Sequence, residues 1–405
     1  MFVTIITSLN CNNKTKLNRT LLEIIMNTYR FFRFHTKAKL VSLSILLSSM
    51  IGGTIPTAYA ESIIVPFEDR ATGQEPWVTN LTPKGTHLLK DLNVGPLSSL
   101  GANRADSNVI SLFGYKYFFA LGNLYRSDGT AKRTKIENNI ADMSITHLVK
   151  HNNKLFFTTN QSANIWRVYP RNQPDGVSAG IIIRYDQSKY QRRVVDIKAG
   201  AFDNKMLLLI VNKPRSGNQT YDMRLINGQD GWSRILNYKF DHSGSVIKGF
   251  RKVFITNRVI YFLGANNEIW MTKNTAQAPK VALLKKYKLQ LSKGEYLQAN
   301  TIISDKNYLY LGTNKGSIYR TDGSKKRTRQ IKATIHGGGE YSYTGFHAIS
   351  NNHLIFTEEE NNNGRITNTL YKLNISTGRS TKLAESNRKL EVSPPLPRPI
   401  KKPTR

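Results

Sequence analysis

Clusters of lysine and arginine are the side chains in this sequence whose type and spacing best suit a chemical task. On exposed turns such side chains bind sulfate, carboxylate and phosphate groups. Lys132-Arg133 and Lys325-Lys326-Arg327 occupy equivalent turns of a repeated stretch. Lys285-Lys286-Tyr287-Lys288 and Arg192-Arg193 lie just beyond other predicted outer strands. We therefore predict a basic rim on one side of the fold, with Lys132, Arg133, Lys285, Lys286, Lys325, Lys326 and Arg327 as its binding residues.

Groups suited to catalysis or metal binding do not form a recognisable pattern. Beyond residue 60 the histidines occur at positions 87, 147, 151, 242, 336, 347 and 353, scattered over the repeat. We find no metal-ligand spacing, no phosphate-binding glycine loop and no nucleophile motif. We expect no catalytic residue, no metal site and no cofactor. Gly337 to Gly339 permit close approach to a ligand, although a flexible connection between repeats is the favoured interpretation.

The charge of the chain favours anionic partners. The formal net charge is +32, from 59 basic and 27 acidic residues. Such an imbalance favours association with polyanions but does not determine fold. The predicted partner is an anionic polymer, namely a polysaccharide, lipopolysaccharide or another envelope component, or else a protein. Nucleic acid explains the charge equally well but conflicts with the export predicted below, and a merely solvated surface is the remaining alternative.

Residues 1–60 have the order of a secretory signal region. Basic residues precede an apolar run from Leu40 to Ile51, and Ala58-Tyr59-Ala60 follows it. This order predicts cleavage after Ala60, with Met26 as an alternative start. An uncleaved anchor is the competing interpretation. We expect an exported protein, in the periplasm, at the cell surface or secreted, with no transmembrane span after cleavage. The single cysteine, Cys11, would be lost with the leader, so we expect no disulfide.

A repeat runs through the remaining chain. Leu124-Tyr125-Arg126-Ser127-Asp128-Gly129-Thr130 recurs as Ile318-Tyr319-Arg320-Thr321-Asp322-Gly323-Ser324. Weaker copies extend the series, and intervals of 41 to 57 residues are typical of propeller blades. The anchor residues of the seven copies are Trp77, Tyr125, Trp166, Met223, Trp270, Tyr319 and Tyr371.

Upstream of six anchors lies a β-prone run, and five of these runs follow a polar turn. Asparagine and aspartate suit tight hairpins. Each unit therefore reads as four antiparallel strands, with an Asp-Gly turn before the last strand in two copies and the anchor aromatics packed between neighbouring units. The predicted fold class is all-β, a β-propeller of seven four-stranded blades, with six blades as the alternative.

We predict three segments: the signal region 1–60, a single propeller domain 61–392 and a proline-rich basic tail 393–405. The first unit lacks an inner strand. Leu390-Glu391-Val392 is the predicted donor, because a strand from the opposite end would close the ring.

The repeat resembles a motif of exported bacterial propeller-like proteins, Glu-Leu-Trp-x-Thr-Asp-Gly-Thr-x-x-Gly-Thr. The fullest match runs from Gln74 to Thr86, and Arg133 and Arg327 replace the second glycine of the motif. The resemblance implies an exported architecture and brings no catalytic residues. We therefore expect a non-catalytic binding or scaffold propeller with a basic face. A polysaccharide lyase or hydrolase with an axial active site is the alternative, for which His147 and His347 are the isolated polar residues of the predicted inner strands.

Overall fold

The computed structural model describes residues 62–389 except 70, 101–108, 113, 138–144, 160–163, 171–176, 186–189, 215, 217–219, 228–232, 241–248, 333–339 and 363–364. These residues form seven sheets, and the protein is a seven-bladed β-propeller. Helix in the described part is limited to one 3-10 turn, Lys325–Arg327. No helix there is long and apolar enough to cross a membrane. The predicted all-β class and seven blades are confirmed.

The sheets follow one another along the chain. Sheet 1 contains β1 (Ile63–Asp69), β2 (Gly73–Thr79) and β3 (His87–Leu88). Sheet 2 contains β4 (Ile110–Leu112), β5 (Tyr115–Ala120), β6 (Asn123–Ser127) and β7 (Lys135–Ile136). Sheet 3 contains β8 (Ile145–His151), β9 (Lys154–Thr159), β10 (Ile165–Pro170) and β11 (Val177–Ile183). Sheet 4 contains β12 (Tyr190–Ala201), β13 (Lys205–Pro214), β14 (Thr220–Ile226) and β15 (Ser233–Ile235).

Sheet 5 has five strands: β16 (Asn237–Phe240), β17 (Phe250–Ile255), β18 (Val259–Gly264), β19 (Ile269–Lys273) and β20 (Val281–Tyr287). Sheet 6 contains β21 (Leu297–Ser304), β22 (Leu309–Thr313), β23 (Ile318–Thr321) and β24 (Arg329–Lys332). Sheet 7 contains β25 (Glu340–Ser350), β26 (His353–Asn362), β27 (Arg365–Asn374) and β28 (Ser380–Lys389). The sequence did not predict β16, which pairs in parallel with β20 at the edge of sheet 5.

Apolar side chains fill the space between successive sheets rather than one central core. Seven clusters of buried residues join sheets 1 and 2, 2 and 3, and so on, and the seventh joins sheet 7 to sheet 1. A sheet that is apolar on both faces requires a neighbour on each side, and a ring supplies both. The last cluster, which contains Val65 and Phe67 of β1 and Leu370 of β27, closes the ring.

The anchor residues lie on the strand that precedes the outer strand, as the repeat predicts. Each faces an apolar residue across the ladder, and in three sheets the two rings stack: Phe118 with Tyr125, Phe157 with Trp166, and Phe356 with Tyr371, at 5.5 to 5.9 Å between centroids. Offset aromatic pairs of this kind add stability beyond the area they bury. The six aromatic anchors pack toward the preceding sheet.

Met223 was wrongly aligned with the other anchors. Its side chain packs in the cluster between sheets 4 and 5, whereas every aromatic anchor contacts the sheet before it. The neighbouring Arg224 is the residue that turns toward sheet 3, with its guanidinium 5.0 Å from the ring centre of Tyr185. Successive side chains of a strand point to opposite faces, so an alignment error of one residue reverses the predicted face.

The predicted hairpin turns after the inner strands belong to two geometries. At 152–153, 203–204 and 351–352 both central residues have positive φ, as the Asn- and Asp-rich sequences favour. In sheets 5 and 6 a side chain holds the turn instead. The hydroxyl of Thr256 accepts from the N–H of Val259 at 3.0 Å, and the carboxylate of Asp305 accepts from the N–H of Tyr308 at 2.7 Å.

Sheet 1 has three strands, and the buried Glu75 of β2 fixes the chain that leads to sheet 2. Its carboxylate accepts hydrogen bonds from the N–H of Leu92 (2.9 Å) and from the N–H (2.9 Å) and hydroxyl (2.6 Å) of Ser99. Burial raises the pKa of Glu75, and these hydrogen bonds offset only part of the rise. The predicted closing strand, 390–392, lies outside the described residues.

A cationic loop face as the candidate functional site

The inner hairpin turns and the loops before the outer strands lie at the same end of every sheet, because the strands are antiparallel. Contacts between these segments confirm the placement. The amide of Asn274 donates to the carbonyl of Gly200 at 3.0 Å, and the amide of Asn352 donates to the hydroxyl of Ser376 at 2.9 Å. We call this end of the propeller the loop face.

Three loops of the loop face have the same internal pattern of hydroxyl hydrogen bonds, and we call them the hydroxyl-bonded loops: 79–86 in sheet 1, 127–134 in sheet 2 and 321–328 in sheet 6. In the last, Thr321 and Thr328 hydroxyls lie 2.8 Å apart, and the N–H of Gly323 donates to Thr321. Ser324 donates from its N–H and hydroxyl to Asp322 at 3.0 and 2.7 Å. The corresponding bonds in the other two loops have nearly the same lengths.

The charge of these loops differs although their hydrogen bonds do not. In sheets 2 and 6 an aspartate pairs with the arginine that replaces the motif glycine, Arg133 with Asp128 at 3.3 Å and Arg327 with Asp322 at 3.4 Å. Sheet 1 has Asn80 in place of the aspartate and Gly85 in place of the arginine. The loops of sheets 2 and 6 therefore differ from that of sheet 1 at both positions together, and each aspartate has an arginine beside it.

Five exposed cations gather on the loop face where sheets 5 and 6 meet. Arg258 comes from the hairpin turn of sheet 5, and its guanidinium is 3.8 Å from the carboxylate of Asp322. The hairpin turn of sheet 6 is linked to it, since the N–H of Asn257 donates to the carbonyl of Lys306 at 2.6 Å. We call the exposed side chains of Arg258, Lys306, Lys325, Lys326 and Arg327 the sheet 5–6 cationic cluster.

The two carboxylates within this cluster are already engaged. Asp305 accepts hydrogen bonds within its own turn and from the hydroxyl of Tyr310 at 2.9 Å. Burial opposes ionisation of Asp322, but the hydrogen bonds from Ser324 and the charges of Arg327 and Arg258 outweigh it and lower its pKa. Asp322 is thus a fixed anion inside its loop, and the surrounding cations outnumber the carboxylates.

The predicted rim residues do not all meet on the loop face. Lys132 and Arg133 lie there in sheet 2, and Lys325, Lys326 and Arg327 lie there in sheet 6, all exposed. The prediction that Lys285 and Lys286 follow an outer strand is wrong, because both lie within β20, level with Met271 and Trp270. Lys286 bonds Glu268 at 2.6 Å, in the turn at the opposite end of the sheet.

Arg192 and Arg193 were also misplaced. They belong to the inner strand β12 of sheet 4 and pair with Asn212 and Val211. An unusually long inner hairpin occupies the stretch that the sequence suggested for an outer strand and the connection after it. Arg258 and Lys306 were missed, and the signal for them was their position in two of the predicted hairpin turns. The first turn brings Arg258 beside the loop of the following sheet, and the second is bonded to the first.

The polar residues of the inner strands are engaged within the fold. His147 Nδ1 lies 2.9 Å from the hydroxyl of Thr158 in sheet 3, and His347 Nε2 lies 2.7 Å from the hydroxyl of Thr357 in sheet 7. Asp196 accepts from the N–H of Val253 at 2.8 Å and so ties sheet 4 to sheet 5. Among the described residues no group of three or more His, Cys, Asp or Glu side chains is arranged to hold a metal. Gly337 to Gly339 lie outside those residues.

Comparisons with known proteins give distant likenesses. No protein-family model matches the sequence, and no curated protein does. The chain is similar to an oligogalacturonate lyase in complex with manganese, with a TM-score of 0.47, 10% identity and coverage of 80% of this chain and 84% of that chain. It is also similar to KlAtg21 in a complex with the coiled coil of AgAtg16, with a TM-score of 0.45, 12% identity and coverage of 81% and 96%. None of these likenesses bears on activity, ligand or partner.

Proposed function

We propose that this chain is an exported, non-catalytic binding propeller that holds an anionic polymer of the cell envelope or a surface on its loop face. The observation that carries the proposal is the sheet 5–6 cationic cluster. Three loops of two neighbouring sheets bring five cations together there, and both carboxylates among them are held in internal hydrogen bonds. The chain also resembles an exported repeat family through the residues from Gln74 to Thr86.

The chemistry of the cluster favours a repetitive anionic ligand. Lys325 and Lys326 have no acidic partner among the described residues and are exposed, so they are available to carboxylate, sulfate or phosphate. Arg258 and Arg327 keep 67% and 55% of their side chains exposed despite sharing Asp322. Side chains spread over several loops suit an extended polymer with regularly spaced charges better than a single small anion.

Retention on immobilised heparin and on lipopolysaccharide tests this proposal. The variant Lys325→Glu/Lys326→Glu changes two exposed side chains and leaves the Arg327–Asp322 pair in place. We expect it to elute at clearly lower salt than the unmodified protein, because the local charge changes sign. The matched control Lys285→Glu/Lys293→Glu makes the same change in net charge with exposed lysines away from the loop face, and it should elute close to the unmodified protein.

Equal shifts for the two variants would reduce the interaction to net charge alone and refute a binding face. Export is tested separately. When the full chain is produced in a bacterium with a secretion pathway, the mature protein should begin at Glu61, as read by mass spectrometry of its N-terminal peptide. A chain that retains residues 1–60 in the cytoplasm would contradict export without touching the binding proposal.

A further inference from the structure

A cleft of about 640 Å³ lies between sheets 5 and 6 at the end opposite the loop face. The turn 265–268 of sheet 5, the end of β20 and the connection 288–296 that leads to β21 form its walls. Its volume is within the range of small-molecule sites, about 300–1,000 Å³. The cleft contains Lys286, which the sequence assigned to a polymer-binding rim, but it shares no residue with the sheet 5–6 cationic cluster.

The floor of the cleft is apolar and its walls are polar. Ile269 and Leu297 are buried in the cluster between sheets 5 and 6, and Leu289 and Leu291 pack against that cluster. Around them stand Asn266, Asn267, Glu268, Lys286, Lys288 and Glu295. A lining divided in this way suits a ligand with both apolar faces and hydrogen-bonding groups, rather than a hydrocarbon chain.

Several polar side chains of the walls are already hydrogen-bonded or paired within the fold. Glu295 accepts from the hydroxyl of Thr313 at 2.6 Å and the N–H of Ser292 at 3.1 Å. Burial opposes ionisation of Glu295, but these hydrogen bonds outweigh it and lower its pKa. Glu268 is paired with Lys286 at 2.6 Å. Glu268 and Lys286 therefore neutralise each other, while Glu295 stays ionised and hydrogen-bonded within the fold.

Lys288 and Asn266 are the wall residues without a polar partner among the described residues, and both are exposed. An ammonium group binds a carboxylate, and a primary amide can donate and accept at once, as a pair of neighbouring hydroxyls requires. The cleft thus offers one ammonium group that is not paired with a carboxylate of the described residues, beside a group suited to polyols.

Tyr296 supplies an aromatic surface at the rim of the cleft. Its side chain is 60% exposed. Its backbone is held by Asn314, whose side-chain oxygen accepts from the N–H of Tyr296 at 2.7 Å and whose N–H donates to the carbonyl of Tyr296 at 3.0 Å. An exposed aromatic ring on a fixed backbone loses little conformational entropy when a flat apolar face packs on it.

We infer that this cleft binds a short saccharide that carries a carboxylate, with a sugar face against Tyr296, hydroxyl groups at Asn266 and the carboxylate at Lys288. The site is independent of the proposed polymer contact on the loop face and would exist without it. It would give the protein a preference for one kind of sugar unit, which diffuse positive charge on the other end does not provide.

Calorimetric titration and saturation-transfer NMR with two disaccharides test the inference. The probes are the glucuronate–N-acetylglucosamine disaccharide and the uncharged galactose–N-acetylglucosamine disaccharide. We expect the uronate to bind more tightly, Tyr296→Ala to weaken it by about tenfold, and Tyr296→Phe to retain it. Lys288→Ala should abolish the preference for the uronate while the uncharged sugar binds as before.

Lys293→Ala is the matched control, because it removes an exposed lysine near the cleft that does not line it, and it should change nothing. The inference is overturned if the two disaccharides bind equally to the unmodified protein, if Tyr296→Ala binds the uronate normally, or if octanoate binds more tightly than either sugar. The variant Lys325→Glu/Lys326→Glu separates the two sites: it should elute from heparin at lower salt and keep uronate binding.

Discussion

The hydroxyl-bonded loops of sheets 1 and 6 have the same hydrogen bonds and different surroundings. Thr79 and Thr86 in one correspond to Thr321 and Thr328 in the other, with hydroxyl distances of 2.7 and 2.8 Å. The residues between them differ, since Asn80, Leu81 and Gly85 stand where sheet 6 has Asp322, Gly323 and Arg327. The hydroxyl hydrogen bonds therefore set the shape of the loop, whereas the residue types at the other positions depend on contacts with the neighbouring sheet.

Leu81 illustrates the influence of the neighbouring sheet. It has φ of 67°, in the left-handed region that glycine occupies at the corresponding positions 129 and 323. A leucine there costs about 1 kcal/mol or more in backbone energy. Its side chain packs in the cluster that closes the ring, and its carbonyl accepts from the ammonium of Lys372 at 2.7 Å. In sheet 1 the contact with sheet 7 outweighs the conformational cost.

The largest expected difference between the two sheets concerns the residue two positions before the anchor, Glu75 in sheet 1 and Ser317 in sheet 6. Glu75→Ala removes two hydrogen bonds from buried donors of Ser99 and one from the half-buried N–H of Leu92, and should lower the free energy of unfolding by about 3 kcal/mol. Ser317→Ala removes the bond from Gln330 at 3.1 Å and the bond to Glu295, which Thr313 and Ser292 also hold, and should cost about 1 kcal/mol. Urea unfolding of both variants measures the contrast. Similar losses would contradict a special role for Glu75.

The threonines that begin the two loops should differ less. Thr321→Val leaves the N–H of Gly323 without its acceptor and removes the bonds of Thr321 with Thr328 and with Tyr287, whose hydroxyls still bond each other at 2.8 Å. We expect a loss of about 2 kcal/mol in the free energy of unfolding, against about 1 kcal/mol for Thr79→Val, for which the structure shows no tyrosine partner among the described residues. Thr377→Val, at an exposed hydroxyl of sheet 7, is the control. A larger loss at Thr79 would show that tyrosine adds nothing.

Sheet 1 should tolerate the aspartate and arginine of sheets 2 and 6 only when both residues are introduced together. Gly85→Arg places a Cβ against the side chain of Asn80 and should cost about 1 kcal/mol. Adding Asn80→Asp recreates the arrangement of sheets 2 and 6 and should recover about 0.5 kcal/mol, as a double-mutant cycle would measure. Strict additivity would mean that Asp128 and Asp322 are not coupled to their arginines.

The smallest effect concerns pH, and its sign should differ between the sheets. The pKa of Glu75 is raised above 4.5, so the folded state binds its proton more tightly and stability falls as pH rises above that value. The pKa of Asp322 is lowered below 3.8, so its contribution is present above that pH and is lost as pH falls through the folded-state pKa. Glu75→Gln and Asp322→Asn should each flatten the corresponding slope of unfolding free energy against pH.

Much of this architecture was readable from the repeat. Aromatic anchors, polar hairpin turns and the two Asp-Gly loops carry their positions in local sequence, because side-chain alternation and turn geometry are short-range properties. The alignment of Met223 failed because the position of this strand that faces sheet 3 holds Arg224 and not an aromatic residue. The prediction for Lys285 and Lys286 failed because the length of an outer strand depends on the strands that pair with it, including the parallel strand β16. The local sequence pattern does not show this pairing.

Only some residues of the candidate sites could be predicted from the sequence, for a related reason. Lys325, Lys326 and Arg327 stood out as a run, whereas Arg258 reaches the same place from a loop 67 residues before Lys325 in the sequence. The cleft at the other end depends in the same way on Tyr296 and on the turn at 266–268, which come together only when sheets 5 and 6 pack. Contacts between sheets, rather than within them, are the information that a single sequence lacks.

The meeting of the first and last sheets has a consequence for how the molecule reaches its final form. Ser386 donates to Asp69 at 2.9 Å across 317 positions of sequence, while the other six interfaces join consecutive segments. Those six can assemble as the polypeptide emerges from the ribosome or a translocation channel, but the seventh must wait for the strands of sheet 7, which end at Lys389. Until then the open ring exposes an apolar face at each end. During this time aggregation and chaperone binding would compete with ring closure.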